Sequence, residues 1–176
     1  FPDGHTPLAQ RIAEIEQAIE AGAREIDVVL HRTYVLTGNW QALYDEVRAF
    51  REACGETAHM KTILGTGNIA TFKQIYQAGM VSMMAGSDFI KTSTGKEAQN
   101  ATMEVSLVMV RAIRDYAEAS GHTVGYKPAG GISNAKTATQ YLATGEYRWN
   151  AGMFSVRAAT RLEHLHTQLP TLHDGL

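Results

Sequence analysis

Two lysines, Lys91 and Lys127, each close a short apolar run and are each followed by glycine: Ser87-Asp88-Phe89-Ile90-Lys91-Thr92-Ser93-Thr94-Gly95-Lys96 and Gly125-Tyr126-Lys127-Pro128-Ala129-Gly130-Gly131. Such a run reads as a strand of a parallel sheet ending in a loop, and parallel α/β folds carry reacting groups at the carboxyl ends of their strands. A lysine there has three readings: a solvated surface amine, a clamp for phosphate or carboxylate, or a nucleophile kept partly neutral so that it forms a Schiff base with a carbonyl. If the two strands are neighbours, their ammonium groups approach each other, and repulsion with partial desolvation lowers one pKa toward neutrality. Two further groups belong to the same question. Asp27 is embedded in the β-branched run from Glu25 to Leu30, where a carboxylate must be paired, and an ion pair holding the sheet together is one reading of it. Lys61 lies two residues into the run from His59 to Leu64; alternation puts it on the side of His59 and Ile63 and leaves open which side that is.

The elements that must position these groups alternate. Thr6-Pro7 predicts a helix start, a capping hydroxyl with proline at the first helical position, and Leu8, Ile12, Ile15 and Ile19 then recur at helical spacing up to Gly22. After the Asp27 strand, Asn39 opens a helix marked by Trp40, Leu43, Tyr44, Val47, Phe50 and Cys54, with Gly55 as its stop; these aromatics read as core. The Lys61 strand leads through Gly65-Thr66-Gly67-Asn68 to a helix with Ile75, Tyr76, Met80 and Met83, closed by Gly86. The Lys91 strand leads to a helix with Val105, Val108, Met109, Ala112, Ile113 and Tyr116, closed by Gly121. Thr123 to Lys127 is the next strand, followed by a helix capped by Ser133 or Asn134, a last strand from Met153 to Val156, and a terminal helix with Leu162, Leu165 and Leu169. Strand following helix in this way predicts α/β architecture with a parallel sheet, as one domain over residues 1–176.

The chain has 176 residues, a formal charge of −2 and a sequence pI near 6.4, which give no reason to expect nucleic acid or a membrane surface as a partner. No apolar run approaches the roughly 20 residues that cross a bilayer. The single cysteine, Cys54, has no internal disulfide partner and reads as a small buried apolar residue, which suits a reducing cytoplasm. The seven histidines show no metal-binding spacing, and neither a dinucleotide-binding glycine motif nor a P-loop is present.

The residues quoted around Lys91 and Lys127, with Glu25-Ile26-Asp27-Val28-Val29, His59-Met60-Lys61-Thr62-Ile63-Leu64 and Val110-Arg111-Ala112-Ile113-Arg114-Asp115, resemble deoxyribose-phosphate aldolase, a class I aldolase family on a TIM (β/α)₈ barrel. The resemblance runs from Phe1 to about Tyr141. It implies reversible aldol cleavage of 2-deoxyribose 5-phosphate to glyceraldehyde 3-phosphate and acetaldehyde, with no cofactor. Lys91 is then the Schiff-base nucleophile, Lys127 lowers its pKa, and Asp27 with Lys61 relays protons through water. Gly95, Lys96, Gly130, Gly131 and Ser133 hold the phosphate, with Thr92 and Thr94 as hydrogen-bonding support. Paired glycines before a helix, as at Gly130-Gly131, equally describe a plain turn, and it is the resemblance that favours phosphate.

The chain also departs from that family. Asn68 stands where a glutamate is expected, and Arg157 and Ala159 stand where a glycine and a serine bind phosphate. Phe1-Pro2-Asp3-Gly4 is similar to the end of the family's third strand. Only about five strands follow it, against eight in a closed barrel. An N-terminally truncated, partial barrel of about five βα units is therefore expected. The other reading is an inactive or degenerate segment that only binds phosphorylated metabolites or a partner chain. A homo-oligomer is compatible with either.

Overall fold

The structure, a computed structural model, describes residues 3–130, 148–150 and 155–157. The chain divides into two compact units, Phe1–Gly131 and Ile132–Leu176. The first alternates helix and strand: α1 Leu8–Glu20, β1 Glu25–Val29, α2 Arg32–Thr37, α3 Trp40–Cys54, β2 His59–Ile63, α4 Phe72–Met84, β3 Phe89–Lys91, α5 Met103–Ser120 and β4 Gly125–Lys127. The four strands form one parallel sheet in the order β1-β2-β3-β4. Each connection is a helical crossover, which parallel neighbours require.

The apolar stripes read from the sequence make the core. Leu43, Val47, Phe50 and Cys54 of α3, Ile75, Ala78 and Met83 of α4, and Val105, Met109 and Ala112 of α5 are buried against one sheet face carrying Ile26, Val28, Met60 and Ile90. Successive strand residues point to opposite faces. Asp27, Lys61, Phe89, Lys91 and Lys127 are therefore carried on the face away from those helices. At the amino end of the sheet, Asp88 accepts hydrogen bonds from Arg51 Nη1 and from the Met60 amide, both at 2.7 Å, and so ties α3 and β2 to the start of β3.

Some boundaries fall otherwise than the sequence predicts. Thr6 does not cap α1: Pro7 is the flanking residue, its carbonyl accepts from the Gln10 and Arg11 amides at 3.0 and 3.2 Å, and no side chain caps the helix. A hydroxyl at Thr6 is one residue too far out to reach those donors. α2 was not foreseen, since six residues are too few to show a helical period. In the second unit the expected last strand is Ser155–Arg157, and it pairs antiparallel with Arg148–Asn150 rather than extending a parallel series. Only four residues separate these two strands, and a connection that short permits a hairpin but no crossover. The expected helices at Ser133 or Asn134 and at Leu162 to Leu169 lie outside the described residues, as does the Phe1-Pro2 strand end.

Arg11 and Glu46 form a buried ion pair between α1 and α3 that the helical stripes gave no sign of. Arg11 also donates to the Val29 carbonyl at 3.1 Å and lies over the Phe50 ring, while the second Glu46 oxygen accepts from the His31 amide at 2.8 Å. The pair thus fixes the end of β1 to two helices. Removing one partner leaves the other buried and uncompensated, at a typical cost of about 3–5 kcal/mol. Glu46→Leu is expected to lower the stability of the chain by that order in denaturant titration. Arg11→Met with Glu46→Leu should recover much of the loss, since an apolar pair needs no compensation.

Candidate active site

The sheet register fixes how the four ionisable groups can meet. Asp27 is level with Lys61 and Phe89, while Lys91 is level with Ile63 and Lys127, two residues further along each strand. A step of two keeps the same face and moves one rung toward the carboxyl ends. Asp27 and Lys61 thus form a lower rung, and Lys91 and Lys127 an upper one. Room on the lower rung comes from Gly125, opposite Phe89, where a Cβ would lie 2.1 Å from the phenylalanine ring.

The three lysine side chains converge on the Asp27 carboxylate. Lys91 Nζ donates to Oδ2 at 2.5 Å, Lys61 Nζ lies 3.2 Å from Oδ1, and Lys127 Nζ lies 3.8 Å from Oδ2. The Lys61 and Lys91 side chains are only 6% and 11% exposed. Alternation had left the direction of Lys61 open, and the structure turns it to the Asp27 side. Burial pushes the Asp27 carboxyl up, but the hydrogen bond from Lys91 and the charges of Lys91, Lys127 and Lys61 outweigh it and hold the group below the ordinary carboxylate range. Burial pushes the Lys127 amine below the ordinary lysine range; the Asp27 charge opposes this, and the charges of Lys91 and Lys61 add to it. Lys91 has its charge met by the Asp27 carboxylate.

Glu25 completes the cluster and had been given no role. Its Oε2 accepts from Lys61 Nζ at 2.8 Å, and this bond is the main reason its carboxyl lies below the ordinary range. Strand alternation puts Glu25, two residues before Asp27, on the same face, but only the register of β1 with β2 brings it to Lys61.

The loops after β3 and β4 are bound to each other. The Thr92 hydroxyl donates to the Ala129 carbonyl at 3.0 Å and accepts from the Ala129 amide at 2.9 Å, and Ser93 Oγ donates to the same carbonyl at 2.7 Å. Thr92 is fully buried and its hydroxyl is engaged in joining the loops. Thr94 Oγ1 donates to the Glu97 carboxylate at 3.2 Å, which also accepts from the Thr94 amide. Gly95 and Lys96 are exposed on this loop. Gly130 has φ +76°, and a Cβ there would lie 2.6 Å from the Asn100 side chain, so a side chain is excluded both by conformation and by space. Gly131, Ser133 and Ala159 lie outside the described residues. Arg157 is described only as a strand residue.

Among the described residues no helix is long and apolar enough to cross a membrane.

A family model described as DeoC/LacD family aldolase matches residues 2–160. The chain is 52% identical over 174 residues to human deoxyribose-phosphate aldolase, covering 96% of this chain and 54% of that protein. It is 42% identical over 146 residues to the deoxyribose-phosphate aldolase of Agrobacterium fabrum, covering 83% of this chain and 55% of that one. The solved tetrameric deoxyribose phosphate aldolase from Aeropyrum pernix superposes with a TM-score of 0.69 at 28% identity, over 96% of this chain and 66% of that one. The chain spans about half the length of the curated relatives it matches. Four parallel strands with helical crossovers on one face are the architecture of part of a (β/α)₈ barrel. With that sheet, the Lys91 and Lys127 strand ends and a family match over most of its length, the chain belongs to the DeoC/LacD family of aldolases.

Proposed function

We propose that this chain carries the reaction centre of a carbon–carbon lyase that reversibly cleaves 2-deoxyribose 5-phosphate to glyceraldehyde 3-phosphate and acetaldehyde. The observation that carries the reading is the convergence of three lysine amines on the Asp27 carboxylate beside the carboxyl ends of parallel strands. The identity to deoxyribose-phosphate aldolases supports the choice of substrate.

In this reading the Lys91 amine attacks the C1 aldehyde carbon and the adduct loses water to give a protonated imine. The C3 hydroxyl gives up its proton and the C2–C3 bond breaks, its electron pair passing into the imine to leave an enamine on Lys91. Glyceraldehyde 3-phosphate departs. Protonation of the enamine at C2 and hydrolysis of the imine release acetaldehyde and restore the amine. Lys127 favours loss of the Lys91 proton by repulsion, and Asp27 with Lys61 passes protons through water. Gly95, Lys96, Gly130, Gly131 and Ser133 are assigned to the phosphate, with Thr92 and Thr94 fixing the loop. No cofactor takes part.

Residues 1–176 are read as one partial barrel domain, supported by a family match that crosses the boundary between the two compact units. The tetrameric Aeropyrum protein supports self-association for a protein carrying this chain. A cytoplasmic location is supported by the single buried cysteine. The test is incubation with 2-deoxyribose 5-phosphate and detection of both products. Formation of acetaldehyde in step with glyceraldehyde 3-phosphate is expected; cleavage of a different aldol in preference would overturn the substrate assignment.

A further inference from the structure

Three amines around one carboxylate raise a question of choice, because any of them in its neutral form could attack an aldehyde. Lys61 and Lys91 both have Nζ within 3.2 Å of Asp27, and both are nearly buried. Their surroundings differ in one respect. Lys61 has a second carboxylate, Glu25, whose Oε2 accepts a hydrogen bond from Nζ at 2.8 Å, so its ammonium faces two carboxylates. Glu25 is the first residue of β1, level with His59, and holds Lys61 from the rung below Asp27. Its own side chain is 64% exposed, so it is not part of the packed core.

We propose that Glu25 is a positioning residue that selects the nucleophile: it holds the Lys61 ammonium down the sheet face and leaves attack on the aldehyde to Lys91. The inference rests on the Schiff-base reading given above. Without the Glu25 charge, Asp27 alone must serve Lys61, Lys91 at 2.5 Å and Lys127 at 3.8 Å. A cluster of three amines with one carboxylate gives up a proton more readily, and Lys61 is then free to compete.

The test is reductive trapping of this chain with acetaldehyde and borohydride, with ethyl adducts counted at each lysine by peptide mass spectrometry. Exposed Lys73 on α4 normalises for labelling efficiency, and an unchanged denaturant titration of Glu25→Gln excludes general loosening of the fold as the source of a rise at Lys61. The unaltered chain is expected to carry its adduct at Lys91. In Glu25→Gln the Lys61 adduct, relative to Lys73, should rise by about fivefold, the scale of a lost partly exposed ion pair. Glu25→Asp, which keeps the charge, should return toward the unaltered pattern. A Lys91 adduct in the unaltered chain with no rise at Lys61 in Glu25→Gln would overturn this inference alone. Absence of a Lys91 adduct in the unaltered chain would overturn the Schiff-base reading and this inference together.

Discussion

Lys91→Met is expected to abolish cleavage of 2-deoxyribose 5-phosphate and to reduce borohydride trapping of acetaldehyde to the level of exposed lysines such as Lys73. The covalent route has no other start, so the loss should exceed the roughly 10²- to 10⁴-fold typical of removing a general acid or base. Methionine matches the length of the lysine stem, and the site needs little repacking to accept it. The competing assignment gives the reaction to Lys127, the amine that burial pushes below its ordinary range. The two are separated by where the ethyl group is found. Recovery of the adduct on the Lys127 peptide, with Lys91→Met still trapping above that level, would reverse the roles. Lys127→Leu gives a second line: it removes the positive neighbour that opposes the charged form of Lys91, so the activity optimum should move to higher pH. An unchanged pH profile with full activity would exclude repulsion as the means of activating Lys91.

The sequence made the sheet legible because each strand carries a charged residue out of place in an apolar run, within β1 and β2 and at the ends of β3 and β4. Asp27, Lys61 and the two terminal lysines marked the strand positions, while the face that Lys61 takes follows only from the register. Glycines at 55, 86 and 121 closed the helices at the positions read from the sequence. Three things were not legible. α2 is shorter than two helical turns and carries no period. The Arg11–Glu46 pair joins residues 35 apart, and pattern along a chain does not report which charged residues of two helices will face each other. The partner of Lys61 was missed for a different reason: Glu25 sits at the mouth of its strand, where a charge is ordinary, and only the register with His59 brings it within reach of Lys61. The loop hydroxyls show the same limit. Thr92 was assigned to support of the site, but its pairing with Ala129 could be seen only once β3 and β4 were adjacent.

Asp27→Asn is expected to have the second largest effect, on stability and activity together. The amide keeps the size of the carboxylate and one acceptor oxygen, but it leaves the ammonium groups of Lys61 and Lys91 nearly buried with Glu25 as the only carboxylate among them. Loss of one member of such a group costs about 3 kcal/mol, the low end being apt for a side chain 27% exposed. The acid limb of the stability curve gives the check. The Asp27 carboxyl is held below its ordinary value in the folded chain, so its contribution is fully present above the unfolded value near 3.8 and is lost as the pH falls through the lower, folded value. Glu25 acts in the same direction in the same range and remains in the variant. Stability of the unaltered chain should therefore fall steeply below about pH 4, and that of Asp27→Asn should start lower and fall less. Activity should drop by roughly 10²-fold or more if the carboxylate also carries protons. Asp27→Asn with undiminished cleavage and an acid limb parallel to the unaltered chain would mean that the lysines are neutralised from elsewhere and that Asp27 has no part in the chemistry.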